Sequence, residues 1–316
     1  RYAPLTTMGA VTWSEACAVV IEAFTRISAE AGAVIRQLLQ SGRVDGSPRP
    51  RKRRGALTFD LGGGEALVMC TFTGRVRDVL TLGHELGHAL HMSCAGHLGP
   101  LNAAIPTLLG ESVALFTEAL TARVYAETTA DPARRHALRA RAVEDQLVAL
   151  FRQTALHDFE DRVHRCVWDG DTPDEVVLGQ WWLDGQHALY GPAVTLLPGY
   201  QHWWSYLDNL YFSVGSRFSY AYGQLAAAAL LARFFDDPSS FGQRFLSMLA
   251  AGGTEPAGEL LRGLGVRMDR PDGWALAFEM LDRDVADICS TADLDLPVPA
   301  SASAVTGIDP LTTEGR

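Results

Sequence analysis

The run Thr81-Leu-Gly-His84-Glu85-Leu-Gly-His88-Ala-Leu-His91 sets two imidazoles four residues apart, with a carboxylate directly after the first. Four residues of α-helix turn the chain by about 400°, so His84 and His88 project the same way, about 40° apart. One helix can present two nitrogen ligands to a zinc ion in that geometry. Glu85 then stands beside the metal, placed to take a proton from a water. His91, one turn beyond His88, is expected to hydrogen-bond behind the ligands instead of joining them.

The third ligand has to come from elsewhere. The extended three-histidine motif needs Gly at position 91 and His at position 94, where this chain has His91 and Cys94, so that arrangement fails. Cys94 stays open as an alternative at the end of the same helix. Gly110-Glu111-Ser-Val-Ala-Leu-Phe-Thr-Glu118 offers two carboxylates seven residues apart, on one helical face. Glu111 lies in a largely apolar stretch where a free charge is costly, which favours it as the third ligand. Glu118, two turns on, is placed to accept the outer N–H of a ligand histidine.

The elements that must position these groups read as mainly α. Residues 13–42 carry apolar side chains at helical spacing, with a break expected near Glu30–Gly32. The metal-motif helix is expected from Val79 to about Cys94, another over Leu109–Thr128, and a long one from Pro132 to near Trp168. Thr172-Pro-Asp-Glu175 signals a helix start with Pro in the first turn. An aromatic-rich segment from Tyr200 to Tyr222 precedes an alanine-rich helix over Gly223–Phe235, and shorter helices follow over about 237–265 and 271–289. The only β signal is Ala56–Asp60, a glycine turn, and Glu65–Phe72, a hairpin expected to lie on helices and to leave an edge free for an extended peptide. The tail from 291, rich in Ser, Ala, Pro and Thr, is expected to be mobile.

Composition bounds the partners. A net charge of −10 over 316 residues argues against general nucleic-acid binding, and no apolar run reaches membrane-span length. Five scattered cysteines, odd in number, favour free thiols in a reducing cytoplasm. Arg43, Arg49 and Arg51–Arg54, with Lys52 among them, form a basic loop whose plain reading is a solvated surface; it could also set positive charge near a cleft for acidic or C-terminal carboxylate groups. The chain opens Arg1-Tyr2-Ala3-Pro4 and reads like the middle of a longer polypeptide.

The zinc motif with Gly110–Glu118 resembles the site of the oligoendopeptidase F and thimet oligopeptidase family. The likeness extends through Tyr2-Ala-Pro-Leu5, Lys52-Arg-Arg-Gly-Ala56, Val76–Leu82, Phe159-Glu160, Tyr190–Val194, Phe218-Ser-Tyr-Ala-Tyr222, Gly252–Pro256 and Leu260–Val266, in order, over about residues 2–288. It implies a helical zincin-type catalytic domain over residues 1–290, with one small β-hairpin beside the cleft and a tail over 291–316. It implies Zn2+ on His84, His88 and Glu111, with Glu85 as general base. Tyr220, with Tyr222 behind it, would donate to the developing oxyanion. The hairpin strand Leu67, Val68, Met69, Cys70, Thr71 and Phe72 would pair with a peptide substrate.

Three departures bear on activity. Tyr211 stands where the family has a His, Thr71 where relatives often carry Asn, and the family's long N-terminal helical region is missing. A peptide-cutting enzyme acting on oligopeptides or a precursor peptide is the expectation. A zinc-holding but inactive peptide binder is the alternative, as is a subunit completed by a second chain, an N-terminal fragment or a homo-oligomer.

Overall fold

The computed structural model describes residues 9–53, 55–207, 209–212 and 214–291; the side chains of Asn209, Phe212 and Thr291 are outside it. The tail expected to be mobile, the opening Arg1–Leu5 and Arg54 therefore lie outside the described residues. The chain is mainly helical, with one small sheet. Its elements are α1 (Trp13–Ile27), α2 (Ala29–Gln40), β1 (Val44–Asp45), β2 (Leu57–Gly62), β3 (Glu65–Met69), α3 (Val76–Ala95), α4 (Gly99–Asn102) and α5 (Thr107–Thr128). There follow α6 (Pro132–Leu147), α7 (Gln153–Trp168), α8 (Glu175–Tyr190), α9 (Asn209–Phe212), α10 (Arg217–Asp236), α11 (Pro238–Ala250), α12 (Ala257–Gly263) and α13 (Pro271–Thr291).

The first helical run breaks at Ser28, ahead of the expected Glu30–Gly32. Ser28 is extended; its N–H donates to Phe24 O and its hydroxyl accepts from Ala31 N, so one residue ends α1 and starts α2. Apolar spacing continues across it, which hides the break. The expected long helix from Pro132 is α6 and α7 joined by a π-helical turn at Val148–Arg152. Asp174 caps α8 through Val177 N, so Pro173 lies before the cap and not in the first turn. α10 begins six residues ahead of its expected start and takes in Tyr220 and Tyr222.

The sheet corrects one expectation. Its order is β1-β3-β2, with β2 antiparallel to β3 (Thr58 opposite Val68) and β1 parallel to it (Val44 opposite Val68). β3 is therefore the centre strand. Val68, Cys70 and Phe72 donate their N–H groups to the carbonyls of Arg43, Asp45 and Gly46 at 2.9, 3.0 and 2.9 Å. Leu67, Val68 and Met69 are therefore flanked on both sides and have no open edge for a substrate, whereas Cys70, Thr71 and Phe72 run past the β2 pairing; among the described residues the sheet's outer edges belong to β1 and β2. Two residues of β1 are too few to leave a periodic signal, so the pairing depends on contacts that only the fold creates.

The basic loop is also more than a solvated surface. The Lys52 ammonium is enclosed, donating to the carbonyls of Asp45 (2.8 Å), Ser47 (3.0 Å) and Cys70 (2.6 Å) and to the Asp45 carboxylate (3.0 Å). Arg49 donates to the same carboxylate at 2.7 Å. Lys52 thus staples the loop between β1 and β2 onto the sheet.

The main core gathers α1, α2, the sheet, α3, α5, α10 and α11, with Phe24, Leu86, Leu90, Phe116, Leu230 and Phe241 at its centre. α5 packs against both α3 and α10, and α3 also rests on the sheet. A smaller second cluster of Leu156, Phe159 and Trp182 holds α7 and α8 beneath the aromatic segment. No helix among the described residues is long and apolar enough to cross a membrane.

Candidate active site and metal centre

Two helices must meet closely for the sequence motif to become a site. Gly83 and Gly87, each one residue ahead of a histidine, make that approach. A Cβ on Gly87 would lie 2.2 Å from Thr117 Oγ1 and 3.0 Å from Ala114 Cα; one on Gly83 would lie 2.5 Å from Thr121 Oγ1. Glycine lets α5 occupy that space, and the Thr117 hydroxyl crosses to donate to Gly83 O at 3.0 Å. The faces bearing His84 and His88 are thereby set opposite Glu111 and Glu118.

His84, His88 and Glu111 each direct a ligand atom into one gap, all within 4.8 Å of one another. His84 Nε2 lies 3.7 Å from Glu111 Oε2, and His88 Nε2 lies 3.9 Å from Glu111 Oε1. These separations are too long for hydrogen bonds. They are close to the edge of a tetrahedron, about 3.4 Å, that ligand bonds of about 2.1 Å would span. Two imidazole nitrogens and one carboxylate oxygen, with the fourth direction left open, are a donor set suited to catalytic zinc.

Hydrogen bonding selects the neutral tautomer of His84. His84 Nδ1 stands 3.0 Å from Glu118 Oε2. A carboxylate only accepts, so the Nδ1 position carries the proton and Nε2 keeps its lone pair for the gap. Burial opposes charge on His84, but the hydrogen bond and the negative charge of Glu118 outweigh it and raise its pKa. His88, desolvated and facing His84 and His91, is pushed down to about 3 and stays neutral. Glu118 is held below its ordinary value: burial works against its charge, but His84 and the Arg77 guanidinium prevail. Arg77 donates to Glu118 Oε1 at 2.8 Å and to Asp145 Oδ2 at 3.2 Å, tying α6 into the network.

Glu85 is 8% exposed. Burial raises its carboxyl pKa, partly offset by a hydrogen bond from the Thr58 hydroxyl to Oε2 at 2.7 Å. Thr58 also donates to Glu85 O at 3.0 Å, so the outer strand β2 orients the carboxylate. Nothing in the spacing of Thr58 signals this role. Its one hint is that the hairpin had to pack on α3.

Several expected roles change or stand apart. His91 is fully buried with no hydrogen-bond partner on either ring nitrogen among the described residues, so it does not hydrogen-bond behind the ligands; it is a core residue, and desolvation pushes it down to about 4. Cys94 is outside the ligand cluster, and burial pushes its thiol up to about 11. His202 pairs with Glu175 at 3.1 Å on the surface.

Gly223 places α10 against α5, where a Cβ would lie 3.5 Å from Glu111 Cβ. Tyr220, one turn earlier, is 38% exposed, with the Arg217 guanidinium 5.7 Å from its ring centre. Tyr222 is half-buried against the core, and its hydroxyl pKa is raised by burial and by Asp269. Tyr211 lies exposed on α9.

Comparison with known proteins agrees with this architecture. The chain is 23% identical over 279 residues to oligopeptidase PepF of Bacillus subtilis, which covers 88% of this chain and 42% of that protein. It is 24% identical over 238 residues to the plasmid oligoendopeptidase F of Lactococcus lactis subsp. cremoris, covering 75% and 39%. The chain thus spans about two-fifths of the length of these curated relatives. Among solved structures, a peptidase from Chlamydophila abortus superposes with a TM-score of 0.77 at 22% identity, over 90% of this chain and 48% of that one. Oligoendopeptidase-F from Enterococcus faecium superposes with a TM-score of 0.62 at 20% identity, over 88% and 43%. These likenesses establish the fold. The model of peptidase family M3 matches residues 24–280, and the chain belongs to that family.

Proposed function

We propose that this chain is the catalytic portion of a zinc-dependent endopeptidase that hydrolyses peptide bonds in oligopeptides or a precursor peptide. The observation that carries the reading is the convergence of His84, His88 and Glu111 within 4.8 Å, with the buried Glu85 on the next position of the same helix. Relatives named as oligopeptidase and oligoendopeptidase support the substrate class.

His84 Nε2, His88 Nε2 and a Glu111 oxygen would hold the ion. Zinc bound there supplies Lewis acidity, polarising a peptide carbonyl and lowering the pKa of a water. Glu85 accepts the water's proton at the carboxylate that Thr58 orients, then passes it to the leaving amine. Its raised pKa suits both halves of that transfer. Glu118 keeps His84 in the tautomer that leaves Nε2 free. Tyr220, with Tyr222 behind it, is assigned to donate a phenolic hydrogen bond to the oxyanion. Tyr211 is assigned the position that the family's histidine holds in the sequence. Five free cysteines support a reducing compartment, for which we propose the cytoplasm.

The test is cleavage of an internally quenched peptide by the zinc-loaded chain. Chelation should abolish turnover and zinc restore it, and Glu85→Gln should lower kcat by about 10²–10⁴-fold while zinc stays bound. Equal turnover by Glu85→Gln would falsify the assigned base. A zinc-loaded wild type that binds peptides without cutting them would leave the alternative, a peptide-binding homologue.

A further inference from the structure

The run Leu147-Val-Ala-Leu-Phe151, at the junction of α6 and α7, is apolar at every position. A helix that rests on a core by one face cannot bury the whole run. Leu150 enters the core, whereas Val148 and Phe151, in the π-helical turn, stay exposed and face a groove. Val285 and Cys289, four positions apart on α13, and Leu189 near the end of α8 form its other walls. The groove holds about 760 Å3, apart from the metal site, and its described walls are mostly apolar. An uncovered apolar surface of this kind is costly in water and marks a place where something docks.

The sequence offers an occupant. α13 closes at Thr291, two residues past Cys289, so the chain that follows leaves from the groove's own wall. Its first residues, Ala292-Asp-Leu-Asp-Leu-Pro-Val-Pro299, lie outside the described residues and beyond the family match, which ends at residue 280. Their pattern alternates: in an extended chain Leu294, Leu296 and Val298 share one face, with Asp293 and Asp295 on the other. Pro297 and Pro299 fix φ near an extended value and so reduce the freedom that docking removes. The seven residues from Thr291 to Val298 reach about 22 Å when extended, against about 8–10 Å between packed helices. That is enough to cross from α13 over α6 to the end of α8.

Charge favours the same occupant. Of the two charged residues on the described walls, Glu144 accepts from Arg141 at 3.3 Å, whereas Arg152 makes no ion pair with a described carboxylate. Asp293 and Asp295 complement it, and residues 292–315 contain no Lys or Arg. Being part of the same chain, the segment meets the groove at a roughly millimolar effective concentration, so weak apolar contacts suffice.

We infer that Leu294–Val298 docks along this groove as an extended strap, its apolar face on Val148, Phe151, Leu189 and Val285 and its aspartates toward Arg152. The strap covers the junction between the small cluster, to which α8 belongs, and the main body, in which α6 and α13 pack on α5 and α10. Neither turnover nor zinc enters, so failure of the peptidase reading leaves the strap untouched.

Cys289 reports on the strap, because it lines the groove and is exposed among the described residues. The zinc-loaded full chain is treated with a maleimide, and alkylation of Cys289 is followed by peptide mass mapping with Cys94 as the internal reference. Leu294→Ser, Leu296→Ser and Val298→Ser combined should speed Cys289 alkylation at least ~tenfold, as when a cover closed about nine-tenths of the time is released. That variant alters no described residue, so the fold is kept. Phe151→Asp, on another wall and far from the tail in sequence, should speed it as much, and Arg152→Glu to a smaller degree. Phe151 is exposed, a thermal melt checks the fold, and Val148→Ser is the milder second variant.

Equal rates in wild type and the tail variant show an open groove and overturn the proposal, as does a wild-type rate in the folded groove variants. Protection that falls on dilution, with a dimer in sedimentation velocity, assigns the groove to a second copy and overturns it too.

Discussion

The two regions of this molecule that carry the proposed functional residues hold them in different ways. At the metal end, α3 and α5 pack through glycines, with Leu82, Leu86, Leu90, Val113 and Phe116 fully buried around them. At the aromatic end, three buried residues (Leu156, Phe159 and Trp182) anchor a surface where Trp203, Tyr206 and Tyr211 are exposed, Tyr206 by 80%. Metal ligands tolerate displacements of only a few tenths of an ångström, so they belong on helices locked by a large core. Groups that meet a variable peptide can stand on a lighter scaffold. The difference predicts that the two ends fail independently.

The largest effect expected is at the small cluster. Trp182→Ala removes its central side chain and should destabilise packing at the aromatic end by about 3–5 kcal/mol. Hydrogen exchange should quicken in α7 and α8 while α3, α5 and zinc binding are retained. Joint loss of both ends would break the comparison.

At the metal end, His91 sets a pH dependence. Its pKa falls from the ordinary 6.5 to about 4 because folding buries the ring. Below pH 6.5 the unfolded chain takes up a proton that the folded chain refuses, so this contribution is complete above pH 6.5 and declines as pH falls toward 4. The decline is on the order of 3 kcal/mol. His91→Leu should flatten the stability profile between pH 6.5 and 4 relative to wild type; identical slopes would show that His91 is not held neutral.

Smaller again is the effect of Glu118→Ala. Removing the acceptor for His84 Nδ1 should weaken zinc about 10–100-fold in a chelator competition, with the helical content unchanged. Unaltered affinity would mean that the 3.0 Å contact does not set the tautomer.

How much could be read beforehand follows the same division. The histidine pair, Glu85, Glu111 and Glu118 were legible because helical spacing is local and α3 and α5 need only lie side by side. Thr58 was not, since its link to Glu85 spans 27 residues and arises from a strand resting on a helix. Lys52 read as solvated because composition does not show that three carbonyls enclose its ammonium. The centre-strand position of β3 depended on a two-residue partner. In the aromatic segment, neighbouring tyrosines look alike in sequence, and only packing separates the half-exposed Tyr220 from Tyr222 against the core.

The central claim is that His84, His88 and Glu111 form one metal site, and zinc stoichiometry after equilibrium dialysis tests it most directly. The account predicts one zinc per chain in wild type and loss of stoichiometric binding in Glu111→Ala with the helical fold kept. Zinc near zero in wild type, or one zinc retained without Glu111, would contradict it.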